Sequence, residues 1–227
     1  MNKKKKALLL DMNNTFMFGE DRFDESENFS IYYSSINGKL PKDKLNQIIV
    51  NTYKYLNDRY PDKKHRHNFP SVQEAIDEIL DIELSQKEIT QIISTFAFHE
   101  LGHIPNEFIE ALKTLKKYFT LSVVIDIWSP KAPWLEIFDE TEISKLFSAS
   151  SFSSDHGMVK PSPRPFELVV SQLNIPKKEC LVVGDSIRRD LGGTMAAGID
   201  CILVGGASDP RATGCYPSLL EFCNVIH

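Results

Sequence analysis

The amino-acid sequence predicts an α/β protein: a parallel β-sheet with helices on both faces, plus an all-helical segment inserted after the first strand. Short apolar runs of strand length alternate with helical patterns in the second half of the chain. The first run, Ala7–Leu10, is apolar throughout, as expected for a strand buried on both faces. Between about residues 18 and 103 the apolar positions instead recur at helical spacing. These observations indicate a Rossmann-like core interrupted by a helical cap.

Each element has a local justification. The inserted segment carries three amphipathic stripes, and two of them follow capping-box pairs, Ser71 with Glu74 and Ser85 with Glu88. After Pro105 we expect strands at 121–125, 147–149, 180–183 and 201–204, and helices at 106–118, 132–138, after the Pro-rich loop at 160–165, and at 190–197. We therefore assign residues 1–17 and 104–227 to the α/β core domain and residues 18–103 to the cap domain.

Composition and charge exclude several classes of protein. The chain has 227 residues and a net charge of −5, which argues against duplex nucleic acid as a partner. Its four cysteines show no paired CxxC spacing, so a zinc site is not expected and a reduced, cytoplasmic setting is. Since no apolar stretch has the length of a membrane span, we expect no membrane association. Oligomeric state has no signal in the sequence.

Carboxylates follow three of the predicted strands. Asp11 follows the first, Asp126 the second and Asp185 the fourth, and Asp190 begins the next predicted helix. Ligands of parallel sheets bind beyond the carboxyl ends of the strands, so these side chains could converge on one Mg²⁺. Taken singly, Asp11 could terminate a strand and Asp190 could be an N-cap. Lys160 could be a surface lysine, or the cation that restrains the carboxylates and holds an anionic substrate.

Three motifs, in this order and spacing, resemble those of the haloacid dehalogenase-like (HAD) superfamily over essentially the whole chain. They read LLLDMNNT at 8–15, VKPSPRPF at 159–166 and VVGDSIRRDLGGTMAAG at 182–198. The resemblance implies a magnesium-dependent phosphatase acting on a small phosphorylated metabolite. It implies that Asp11 is the nucleophile that forms an aspartyl-phosphate and that Lys160 neutralises both Asp11 and the phosphoryl oxygens. Magnesium would be held by Asp11, the Asn13 carbonyl, Asp185 and Asp190.

Two positions depart from the family pattern. Phosphatases of the family carry an acid/base Asp two residues after the nucleophile, where this chain has Asn13, whose amide cannot exchange a proton. Asp126 stands where the family has a phosphate-binding Ser or Thr, and Ser129 could supply that hydroxyl instead. These departures leave the formal charge of the site unchanged, and one hypothesis is that Asp126 has a raised pKa and supplies the missing proton.

Other functions stay open at this stage. Asn13 and Asp126 are compatible with a weakly active or non-catalytic protein that binds a phosphorylated ligand or a partner. A haloacid dehalogenase would use the same nucleophile without metal, but it would have no use for both Asp185 and Asp190. A sugar-phosphate mutase would need the acid/base that Asn13 replaces.

Overall fold

The computed structural model describes residues 5–24, 26–80 and 82–226, so the ends of the predicted core ranges lie partly outside it. The strands of the described residues form one six-stranded sheet in the order β3-β2-β1-β4-β5-β6, and every neighbouring pair is parallel. They are β1 (Ala7–Leu10), β2 (Thr120–Ile125), β3 (Phe147–Phe152), β4 (Cys180–Gly184), β5 (Asp200–Leu203) and β6 (Gly214–Cys215). The predicted parallel α/β class is confirmed.

Helices cover both faces of the sheet. Along β1, Leu8 and Leu10 pack into one hydrophobic cluster, whereas Ala7 and Leu9 pack into another. Because successive strand residues point to opposite faces, β1 is buried on both. Buried residues of α5 (Asn106–Lys116), α6 (Ala132–Glu140) and α10 (Leu219–Asn224) belong to the first cluster, and those of α8 (Arg164–Leu173) and α9 (Gly192–Ala197) to the second. The short α7 (Ser153–His156) follows β3 directly.

The chain between β1 and β2 is helical and has a hydrophobic cluster largely of its own. It contains α1 (Phe29–Ser35), α2 (Lys42–Arg59), α3 (Val72–Ile79) and α4 (Gln86–Glu100). Both predicted capping boxes are present, at the start of α3 and of α4. None of the described helices combines the length and the apolar character needed to cross a membrane.

Two adjacent connections join these helices to the sheet. Phe18 and His103 form an isolated antiparallel bridge, in which each N–H donates to the other residue's carbonyl over 2.9 Å. A Cβ on the neighbouring Gly102 would lie 2.6 Å from the Phe18 carbonyl oxygen. The absence of a side chain at Gly102 thus permits the close approach of the two connections.

Two elements differ from their predicted bounds. β3 continues to Phe152 through the polar Ser150 and Ser151, because these residues pair in register with Val123 and Val124 of β2. The buried Ser151 hydroxyl is hydrogen-bonded to His156 Nε2 at 2.9 Å. The helix predicted from Asp190 begins as α9 only at Gly192, after a π-helical turn over Ile187–Leu191. Asp190 is therefore inside a turn and is not an N-cap.

Candidate active site

Three of the predicted site carboxylates meet where the central strands end. β1 and β4 are neighbours, with Leu10 in register with Val183, so Asp11 and Asp185 emerge at the same edge of the sheet. Together with Asp190, each offers a carboxylate oxygen, and these oxygens all lie within 4.8 Å of one another. This distance suits three oxygen ligands of a single divalent cation.

The turn after β4 places Asp190 against the strand. Ser186 N–H donates to Asp190 Oδ2 at 3.0 Å, which fixes the carboxylate over the turn. A Cβ on Gly184 would lie 2.4 Å from the Asp190 carboxyl carbon. Glycine at 184 therefore leaves the space that Asp190 occupies.

Lys160 joins two of the three carboxylates. It lies in the loop between α7 and α8, follows a buried Val159 and is itself only 1% exposed. Its Nζ forms a hydrogen bond and ion pair with Asp11 Oδ1 and another, at 2.9 Å, with Asp190 Oδ1. The predicted contact between this amine and the acids is present in the structure.

Negative charge exceeds positive charge at this edge of the sheet. Burial, and next the charge of Asp190, raises the pKa of Asp11 from 3.8 to about 7, although Lys160 opposes the shift. Burial and Asp190 likewise raise the pKa of Asp185, whose Oδ1 is 3.4 Å from Arg189. Burial alone would lower the pKa of Lys160, but Asp11 and Asp190 together raise it above its usual range. A further cation would relieve the remaining repulsion, and the all-oxygen donor set fits Mg²⁺.

The turn after β1 presents Asn13 two residues beyond Asp11, in the lining of the same site. Met12 carbonyl accepts hydrogen bonds from three successive amides, those of residues 15–17, which closes a tight turn with Asn14 at φ +54°. Thr15 Oγ1 donates to Asp11 Oδ2 at 3.4 Å. Asn13 is half-buried, and its Oδ1 accepts no hydrogen bond from the described residues.

A cavity of about 70 Å³ opens at this site. Four predicted site residues line it: Asp11, Asn13, Asp126 and Lys160. Its other lining residues, which the sequence did not single out as site residues, are Asn14, Glu20, Asp21, Tyr60, Glu100, Trp128 and Arg189. Five of the eleven lining residues are acidic and two are basic, and the aromatic rings are those of Tyr60, directly after α2, and Trp128, after β2.

Asp126 is held by two donors. Its Oδ2 accepts from Tyr60 Oη at 2.6 Å and from Lys160 N–H at 2.9 Å, whereas its Oδ1 has no partner among the described residues. Burial raises the pKa of Asp126, although Lys160 and the Tyr60 hydrogen bond oppose the shift. Tyr60 directly follows α2, one helical turn beyond the buried Leu56. This spacing is the only signal in the sequence that its side chain points inward.

Ser129 lies elsewhere. It is fully buried and does not line the cavity, and its N–H donates to Glu100 Oε2 at 2.9 Å. Glu100, the last residue of α4, also accepts from Trp128 N–H through Oε1 at 2.5 Å. The Glu100 carboxylate thus fixes the backbone after β2 through the amides of Trp128 and Ser129. The phosphate contact of Ser129 stays a prediction.

The structure is similar to several solved structures over nearly its full length. One is a 2-haloacid dehalogenase from Pseudomonas syringae pv. Tomato DC3000, with 19% identity, a TM-score of 0.65 and 97% of each chain covered. Another is a HAD phosphatase from Thermococcus onnurineus, with 20% identity, a TM-score of 0.63 and 97% of each chain covered. A third is the HAD-hydrolase YfnB from Bacillus subtilis bound to magnesium, with 16% identity and a TM-score of 0.62, covering 99% of this chain and 100% of that one.

At these identities the similarity establishes the fold, and the family assignment comes from the sequence. No curated protein matches the chain at the sequence level. The sequence model of the haloacid dehalogenase-like hydrolases matches residues 5–198, a range that contains every residue of the site described above. The chain therefore belongs to the haloacid dehalogenase-like hydrolases.

Proposed function

We propose that this hydrolase is a magnesium-dependent phosphatase that acts on a small phosphorylated metabolite through an aspartyl-phosphate intermediate on Asp11. The observation that carries the proposal is that Lys160 Nζ forms ion pairs with both Asp11 and Asp190, with Asp185 beside these two carboxylates. A single buried amine does not balance the charge of three carboxylates. The site can therefore bind a second cation, and an anion can bind to that cation.

Asp11, the Asn13 carbonyl, Asp185 and Asp190 would hold the magnesium ion, which, when bound, offsets the charge of the phosphoryl oxygens. Asp190 would do so while its other oxygen is fixed by Ser186 N–H. Lys160 orients Asp11 and, because the carboxylates raise its pKa, keeps its positive charge. It thereby also holds a phosphoryl oxygen near the attacking carboxylate.

The reaction begins when a carboxylate oxygen of Asp11 attacks phosphorus and the ester oxygen departs. Water then attacks the phosphorus of the aspartyl-phosphate and releases inorganic phosphate. The Asn13 amide can orient the leaving oxygen through a hydrogen bond but cannot donate a proton to it. Residues 18–103 would act as a cap, because Tyr60 and Glu100 from this segment line the cavity together with Asp11.

Dehalogenation of a 2-haloacid is the second candidate, since solved dehalogenases share this fold. The clustering of Asp185 and Asp190 with Asp11 favours the phosphatase, because a reaction without metal has no role for two additional carboxylates. Asn13 instead favours a weakly active protein that binds a phosphorylated ligand.

The test is release of phosphate from a panel of small phosphate esters, with Mg²⁺ or with EDTA, alongside release of halide from 2-haloacids. We expect release of phosphate that requires Mg²⁺ and is abolished by Asp11→Asn, and no loss in the control Asp139→Asn, which makes the same change on an exposed face of α6. Phosphate release that survives Asp11→Asn would refute the nucleophile. Halide release that is indifferent to EDTA would establish the dehalogenase, and binding of phosphate esters without turnover the non-catalytic alternative.

A further inference from the structure

We propose that Asp126, held in place by Tyr60, performs the acid/base role that Asn13 cannot perform. The inference rests on the proposed phosphatase function and extends it by naming the residue that protonates the leaving group. It also assigns a function to an inserted helix, because Tyr60 follows α2 directly.

The need arises at position 13. Expulsion of an alkoxide from a phosphate ester is slow unless a positioned acid protonates the departing oxygen, and the same group as a base can then activate water. Asn13 lines the cavity with Asp11, but its amide can neither donate a proton to the leaving oxygen nor remove one from water. Another titratable group facing the same cavity must act if alkyl phosphates are substrates.

The position of Asp126 suits this task. It follows β2, the neighbour of β1, and lines the same cavity as Asp11. Its Oδ2 accepts two hydrogen bonds, from Tyr60 Oη and Lys160 N–H, which fix the carboxyl plane. Its Oδ1 is buried without a hydrogen-bond partner among the described residues. Oδ1 is thus the atom at which the proton can be carried.

The surroundings support both protonation states of Asp126. Burial favours the neutral acid and raises its pKa. Once the proton has left, Tyr60 Oη and Lys160 N–H still donate to the carboxylate, and the positive charges of Lys160 and Arg189 favour it. Burial and Asp126 raise the pKa of Tyr60, so its hydroxyl remains a donor throughout. The charge of Asp126 also contributes to the raised pKa of Lys160, and it opposes the burial that lowers the pKa of His156.

Besides Asp11 and Asp126, three carboxylates line the cavity: Glu20, Asp21 and Glu100. Both oxygens of Glu100 accept hydrogen bonds from backbone amides, those of Trp128 and Ser129. Glu20 and Asp21 lie in the connection between β1 and α1, beyond the turn that carries Asn13. Glu20 serves as the matched control, because it lines the cavity and one of its carboxylate oxygens is also buried without a partner.

The chemistry balances with this assignment. In the first step a bond forms between an Asp11 oxygen and phosphorus, the bond from phosphorus to the ester oxygen breaks, and the proton on Asp126 Oδ1 passes to that oxygen to give an alcohol. In the second step the Asp126 carboxylate takes a proton from water as its oxygen attacks phosphorus, and the bond from phosphorus to Asp11 breaks. Ester and water become alcohol and phosphate, and both aspartates return to their starting states.

The experiment compares Asp126→Asn with the parent on two probes of nearly the same size, ethyl phosphate and acetyl phosphate, in Mg²⁺. The amide oxygen of Asn can still accept from Tyr60 Oη and Lys160 N–H, but the exchangeable proton is gone. Ethoxide needs a proton to leave, whereas acetate does not. We expect kcat/KM to fall roughly 10²–10⁴-fold on ethyl phosphate and less than about tenfold on acetyl phosphate. Asn13→Asp in the Asp126→Asn background should restore at least about tenfold on ethyl phosphate, because it supplies an acid at the family position.

Equal losses on the two probes, or no loss on either, would overturn the proposal, since a residue that only binds phosphate does not distinguish leaving groups. The same selective loss in Glu20→Gln, with none in Asp126→Asn, would move the acid to Glu20. Thermal unfolding verifies that each variant is folded. If Asp126→Asn does not fold, Tyr60→Phe replaces it as the test. We then expect a loss of kcat/KM on ethyl phosphate and not on acetyl phosphate. Failure of the phosphatase function is distinct, because the parent would then release phosphate from neither probe or would do so after Asp11→Asn.

Discussion

Asp11 should weaken the folded protein when no metal is bound, and Asp11→Asn should strengthen it. The pKa of this carboxyl rises from 3.8 to about 7 on folding, chiefly through burial and then through Asp190. A shift of about 3 pH units corresponds to about 4 kcal/mol, and relaxation of the buried site reduces this to about 2–4 kcal/mol. Asn resembles the neutral acid in shape and avoids this cost, while Lys160 keeps its ion pair with Asp190.

The sign of the pH dependence follows from the direction of the shift. Because the folded-state pKa is raised, the contribution of this carboxyl to stability is lost as the pH rises from about 4 through about 7. The advantage of Asp11→Asn over the parent should therefore grow across that window and level off above it. Urea unfolding in EDTA at several pH values, followed by tryptophan fluorescence, measures this difference.

Magnesium should reverse the comparison, because binding to the folded parent adds stability that the variant, lacking one ligand, gains less of. Asp139→Asn, on an exposed surface, should track the parent throughout. If Asp11→Asn in EDTA at about pH 8 unfolds at less urea than the parent, the account of an overcharged site is wrong.

Three further perturbations follow from the same contacts. Lys160→Met should abolish activity and lower the free energy of unfolding in urea by about 3–5 kcal/mol, since it leaves two buried carboxylates without their cation. An unchanged unfolding midpoint would argue against the ion pairs. Gly184→Ala should weaken Mg²⁺ binding at least about tenfold in calorimetric titration, because the added Cβ would displace Asp190. The control Gly192→Ala should leave Mg²⁺ binding unchanged, because its Cβ would meet no atom closer than 3.6 Å. Ser85→Ala should lower the stability by about 1 kcal/mol without altering kcat, through loss of a helix cap, and a change in kcat would indicate that α4 also positions the site.

The sequence was most informative where local pattern and chemistry coincide. Asp11 and Asp185 could be placed together because each follows a buried apolar strand, and parallel strands end at a common edge. Lys160 required more, since only the resemblance to the family joined it to residues so distant in sequence. Asp190 was expected at a helix start, but Ser186 caps a π-helical turn there, and turn type depends on hydrogen bonds that periodicity does not reveal.

Tertiary contacts determined what the sequence could not predict. Tyr60 looks like any residue at the end of an amphipathic helix until the fold brings its ring against Trp128 and its hydroxyl to Asp126. Ser129 was a reasonable candidate for a phosphate contact by proximity to β2. Glu100, some thirty residues earlier, accepts the backbone amides at this turn, and Ser129 is buried away from the cavity. Neither contact leaves a periodic signal.

The hydrogen-bonded pair Phe18 and His103 means that the polypeptide leaves the α/β part of the structure and returns to it at a single point. For ends held in contact, the entropy of closing the intervening loop grows only logarithmically with its length, by about 0.6 kcal/mol for each doubling. Helices can therefore be lengthened, shortened or exchanged between these two residues at little cost to the strands. A side chain at Gly102 would separate the ends themselves, so a single methyl group there is a greater threat to this architecture than many added residues further along the insert.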